Sequence, residues 1–165
     1  SHPGLVRRLL ELEVPEIGEG IIEIKSISRE PGSRTKIAVH STKENVDPVG
    51  TCIGTKGMRV NEVIRELRGE KLDIIKYSDN PAEYVANSLS PADVTSIEVD
   101  AENHICRVVV PADQLSLAIG REGQNVRLAA RLTGWKIDLT SAEKSNSNET
   151  SKASEESAEE PGEDA

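Results

Sequence analysis

Cys52-Ile53-Gly54-Thr55-Lys56-Gly57 and Ala118-Ile119-Gly120-Arg121-Glu122-Gly123 are two short loops of one design. Behind each comes an apolar run at helical spacing, then glycine, lysine and an alternating apolar strand. The first loop leads to Leu67-Arg68-Gly69-Glu70-Lys71-Leu72-Asp73-Ile74 and the second to Leu132-Thr133-Gly134-Trp135-Lys136-Ile137-Asp138-Leu139, with one residue fewer in the second helix. This internal repeat predicts two small domains of one fold. A Gly-x-x-Gly loop between helices allows the chain to reverse and leaves no side chain between the backbone and an approaching phosphate. The amides opening the next helix would face that anion with the positive end of the helix dipole.

Working outward, Pro3 precedes the stripe Leu5, Val6, Leu9, Leu10 and Leu12, a helix that Pro15 is expected to stop. Ile21 to Ile27 is rich in β-branched residues and predicts a strand, Pro31-Gly32 a turn, and Lys36 to His40 an alternating, half-buried strand. A short helix over Pro48 to Ile53 enters the first loop. Val60, Val63, Ile64 and Leu67 leave it at i, i+3, i+4 and i+7, and Gly69 stops that helix before a strand over Leu72 to Ile75.

Asn80-Pro81-Ala82-Glu83 reads as a helix start with a capping box, and that helix runs to Leu89, before Pro91. Thr95 to Asp100 and Ile105 to Val110 read as strands around a turn at Glu102-Asn103. A helix over Ala112 to Ile119, the second loop, a helix over Gln124 to Thr133 and a strand over Trp135 to Thr140 complete the unit. The expected order is α-β-β-α-α-β twice, an α+β fold, with domains at residues 1–77 and 78–140. Only Lys76, Tyr77, Ser78 and Asp79 separate the last strand of the first from Asn80. Such a joint, with Tyr77 and Tyr84 flanking it, predicts units packed together as one continuous binding surface.

Residues 141–165 carry eight Asp or Glu and two Lys. They read as a disordered acidic tail. Of the net charge of −9, −6 lies in that tail, so the repeat itself is close to neutral. Bulk positive charge is therefore excluded as a source of nucleic-acid affinity, which must come from local placement of Lys and Arg. Cys52 and Cys106 have neither disulfide nor metal-ligand spacing and read as reduced core residues of a cytoplasmic protein. No membrane-length apolar span is present. The chain opens with Ser rather than Met, as a piece of a longer protein would.

Enzyme chemistry finds no support. Gly50 to Lys56 lacks the spacing and the Ser or Thr of a P-loop, and no dinucleotide-binding glycine pattern occurs. His2, His40 and His104 are scattered and read as surface residues; no metal or cofactor is expected. With Tyr77, Tyr84 and Trp135 as the only aromatic residues, recognition by base-stacking modules is disfavoured, and Trp135 reads as core. The candidates lie at the loops. In the first, Lys56 and Arg59 can meet phosphate, with Ile53, Gly54, Thr55, Gly57 and Met58 around them. In the second, Ile119, Gly120, Arg121, Glu122 and Gly123 precede Gln124, Asn125 and Arg127, whose polar side chains suit sugar and base edges. For Ile53 and Ile119, core packing competes with support of a base, and Arg65, Arg68 and Arg131 read as a solvated helix face.

These loops in their α-α context resemble KH domains of the second type, in which a helix and strand pair precede the Gly-x-x-Gly unit. Glu13-Val14-Pro15-Glu16-Ile17, Ser28-Arg29-Glu30-Pro31-Gly32, Asn45-Val46-Asp47-Pro48-Val49-Gly50, Glu66-Leu67-Arg68-Gly69-Glu70-Lys71, Asn80-Pro81-Ala82-Glu83 and Ala118 to Ala129 are, beyond that, similar to the tandem KH region of the NusA family of bacterial transcription elongation and termination factors. The resemblance implies a noncatalytic, monomeric, cytoplasmic factor that binds single-stranded nascent RNA and acts in pausing, termination and antitermination. RNA polymerase would be a partner through N-terminal and S1 domains ahead of residue 1, and other antitermination factors are further candidates. The alternative is a KH-fold interaction or ribosome-assembly module that binds structured RNA or protein.

Overall fold

The computed structural model describes residues 3–142. All but Ser141 and Ala142 of the expected acidic tail lie outside the described residues. The chain divides between Ser78 and Asp79 into two compact units. The first contains α1 (Pro3–Glu13), α2 (Pro15–Gly18), β1 (Ile22–Glu30), β2 (Arg34–Ser41), α3 (Pro48–Ile53), α4 (Met58–Glu66) and β3 (Lys71–Lys76). The second contains α5 (Pro81–Ser88), β4 (Ser96–Asp100), β5 (Ile105–Val110), α6 (Leu115–Ile119), α7 (Gln124–Thr133) and β6 (Lys136–Ser141).

Each unit has a three-stranded sheet in chain order, the first two strands antiparallel and the third parallel to the second. Parallel neighbours cannot be joined by a tight turn, so the chain must cross over the sheet. That crossover is α3–loop–α4 in one unit and α6–loop–α7 in the other, and it is what presents the glycine loops. α1 packs on α4, and α5 packs on α7. Asn80 caps α5, its Oδ1 accepting from the Ala82 amide at 3.0 Å. The residue missing from the second helix is resolved at the C-cap. α4 ends through two left-handed residues, Arg68 and Gly69, and α7 through Gly134 alone.

Three expectations change. Pro15 ends α1 but also opens α2, as proline at a first helical position can. The α1 stripe is narrower than its leucines suggest. Val6, Leu10 and Val14 reach the core at four-residue spacing, whereas Leu12 is 74% exposed and Leu5 44%. Two residues are about 200° of helix, which turns Leu12 away from Leu10.

β2 is not half-buried: Arg34 to Val39 are all buried, because the strand is central and paired on both sides. Ile37 and Val39 join the core. The Arg34 and Lys36 heads meet Asp73, Arg34 Nε and Lys36 Nζ each donating to Oδ2 at 2.8 Å. Burial pushes the Lys36 ammonium down from 10.5 to about 8 against the pull of Asp73, and the nearby Arg34 adds to the lowering. Between about pH 8 and 10.5 the folded chain loses this proton while the unfolded chain keeps it, so stability rises with pH there. A gain of up to about 3 kcal/mol across that window is expected in denaturant melts. Lys36→Met should flatten the rise, and an unchanged rise in that variant would assign it to another group.

The cores follow the same plan twice. Cys52 and Cys106 are free thiols buried one in each core. Burial pushes the Cys52 thiol up to about 12, which keeps it protonated and unreactive at neutral pH.

Candidate nucleic-acid interface

The two loops share one backbone. Gly54 and Gly120 have φ/ψ of 82°/170° and 81°/169°. Lys56 and Glu122 are both at 55°/28°, and Gly57 and Gly123 at 76°/15° and 77°/12°. Hydrogen bonds match as well: Gly57 N–H donates to Gly54 O and Gly123 N–H to Gly120 O, both at 3.0 Å. Between the glycines the side chains differ, Thr55-Lys56 against Arg121-Glu122, so the local conformation there is set by backbone requirements rather than by side chains.

The first glycine of each loop also has a packing role. A Cβ on Gly120 would lie 2.6 Å from the Asn125 amide nitrogen, and one on Gly54 would lie 2.8 Å from Arg59 Cγ. The absent side chain thus makes room for the loop's own following helix. Both residues also occupy a φ/ψ region that is essentially glycine's alone. Gly120→Ala should cost about 3 kcal/mol and Gly54→Ala about 2, because the approach to the next helix's backbone is 2.6 Å at Gly120 and 3.0 Å at Gly54. Gly123, whose Cβ would meet nothing closer than 3.7 Å, should cost only about 1. Thermal melts of the three variants test the ranking, and equal losses at Gly120 and Gly123 would refute the packing account.

The candidate side chains fall into two groups. Thr55, Lys56, Arg121 and Glu122 are exposed at the loop tips. Among the described residues, no carboxylate is within ion-pair distance of Lys56 or Arg121, so both cations are available to an anion. Met58 stands beside the first loop, 69% exposed, and its counterpart Gln124 is half-buried. Ile53 and Ile119 are half-buried, in keeping with either of their two readings.

The second group holds the loops in place. Arg59 donates through Nη1 to Glu16 Oε1 at 3.0 Å and to Thr51 O at 2.9 Å, tying α2, α3 and α4 together. Asn125, five residues after its loop's first glycine as Arg59 is, is fully buried; its Nδ2 donates to Leu89 O and Ala118 O, both at 3.0 Å. Burial corrects the expectation that Asn125 meets base edges: it positions α5, α6 and α7 under the loop. Arg127 Nη1 donates to Glu122 O at 3.0 Å and so ties the helix to the loop. Glu16 and the Leu89 carbonyl were missed from sequence, because their role depends on contacts 36 to 43 residues away.

Residues 1–77 match the model of the NusA-like first KH domain, and residues 81–147 match that of the NusA-like second KH domain. The chain is 57% identical over 141 residues to the transcription termination/antitermination protein NusA of Halalkalibacterium halodurans, covering 86% of this chain and 37% of that protein. Against the proteins of the same name from Bacillus subtilis and Thermus thermophilus it is 55% identical in each case, covering 86% and 96% of this chain and 38% and 41% of theirs. The chain therefore spans about two fifths of the length of these curated relatives. A solved structure, that of APE1850, superposes with a TM-score of 0.57 at 23% identity over 81% of this chain and 96% of that one, which speaks for the fold alone. With the two KH units in the order the family has them and more than half of the aligned residues identical, this chain belongs to the NusA family.

Proposed function

We propose that the two glycine loops bind the backbone of single-stranded RNA, and that the longer protein to which this region belongs acts on nascent transcripts at RNA polymerase in termination and antitermination. The observation that carries the reading is the duplicated loop: two differing sequences held to one backbone, each with an exposed, unpaired cation at its tip. The relatives are named transcription termination/antitermination proteins, and that role comes to this chain through the family. The work is that of a binding factor in the bacterial cytoplasm, without catalysis. Among the described residues, no helix is long and apolar enough to cross a membrane.

Titration with an unstructured oligoribonucleotide at several salt concentrations tests this reading. About four phosphate contacts give a slope of log affinity against log salt near −3 for a single strand. A slope near zero, or a preference for duplex over single strand, would overturn it.

A further inference from the structure

At the hairpin end of the second sheet, the His104 and Trp135 rings stack with centroids 3.8 Å apart and planes 8° from parallel. The matching corner of the first unit is built differently. There the Lys71 amide donates to Ser33 O, just as the Lys136 amide donates to His104 O. Ser33 thus corresponds to His104, and buried Glu70 to Trp135. Trp135 packs on the core together with Ile137 and Leu139, with which it alternates, so the pair lies on the side of the sheet that carries α6 and α7.

Trp135 is half-buried, and His104 above it is exposed. One face of the imidazole covers the indole, and His104 as a whole is exposed to solvent. His104 also holds a left-handed backbone, φ 60°, which is uncommon outside glycine and costs free energy. An exposed flat ring stacked on a flat ring is the geometry on which a further aromatic ring adds, and every nucleobase has a flat face of its own.

We propose that His104 and Trp135 form a stacking platform for one unpaired nucleobase of single-stranded RNA, at the end of α7 remote from the glycine loop. The proposal rests on the RNA-binding reading above. α7 has ten residues and is about 15 Å long, so the loop at its start and the platform just beyond its end are within reach of one strand. RNA is favoured over a protein partner because the platform shares the helical side of the sheet with that loop.

Trp135 is the only tryptophan, and its emission reports directly on this corner. The test uses the 165-residue chain and a ten-nucleotide adenosine RNA, with affinity read from anisotropy of labelled RNA and stacking from tryptophan emission with unlabelled RNA. Saturating RNA should quench Trp135. His104→Ala should weaken binding about tenfold, the effect of one lost stack, and His104→Phe should restore it to within about twofold. Circular dichroism melts should show both variants fully folded at the temperature of the binding assay, with transitions a few degrees below the parent's at most. If RNA binds but leaves the emission unchanged, or if His104→Ala binds as tightly as the parent, the platform is wrong and the loops alone carry the RNA. If the parent chain binds no RNA, the functional reading fails and the platform with it.

Discussion

Changing Thr55, Lys56, Arg121 and Glu122 together to aspartate is expected to weaken single-stranded RNA binding by at least about 100-fold, at moderate salt, without unfolding the chain. Two unpaired cations are lost and carboxylates stand where phosphates should lie, so attraction becomes repulsion at both loops. The fold should survive for a specific reason. All four positions are exposed, and the two left-handed ones, Lys56 and Glu122, receive a residue that tolerates φ near 55° better than most. Each loop changed alone should give an intermediate loss, and the salt slope should shrink with each. Unchanged affinity alongside an unchanged melt would show that the loops are not the site.

Glu70→Ala should be the most destabilising single change in the first unit, at about 3–5 kcal/mol. The Glu70 side chain is 1% exposed and accepts from Arg29 Nε at 2.9 Å, Arg29 Nη2 at 2.8 Å and the Gly32 amide at 3.0 Å, with the Thr35 hydroxyl a fourth donor. Burial alone would raise this carboxyl, but the hydrogen bonds from Arg29, Thr35 and Gly32 and the Arg29 charge outweigh it and hold it below the usual range. Removing it takes away two charge-assisted hydrogen bonds from a guanidinium that is 6% exposed. A loss of that size is most of a small domain's stability.

Replacing both partners, Arg29→Met with Glu70→Leu, should be much milder, because both charges are removed together. Since the folded carboxyl titrates below the unfolded one, its contribution is complete above the ordinary glutamate range and is lost as pH falls through the folded value. Denaturant melts of the parent and both variants at neutral and acid pH check this. A double variant as unstable as Glu70→Ala would show that the cost is lost packing rather than the loss of Glu70's charge beside Arg29.

Much was legible in the chain itself, for a physical reason. The repeat, the glycine punctuation, the Asn80-Pro81 start and the periodicities are local, and local backbone preferences act over a few residues whatever surrounds them. They suffice for the α-β-β-α-α-β order and for the loop positions. Tertiary structure decided everything that needs a partner far along the chain. It made β2 central, and so buried Arg34 and Lys36 against Asp73; it turned Arg59 to Glu16 and buried Asn125 against the Leu89 carbonyl. It also took His104 and Trp135, which read separately as surface and core, and stacked them. Sequence patterns report which side chains prefer burial, whereas the atom each one meets there is settled only when distant segments share the same space.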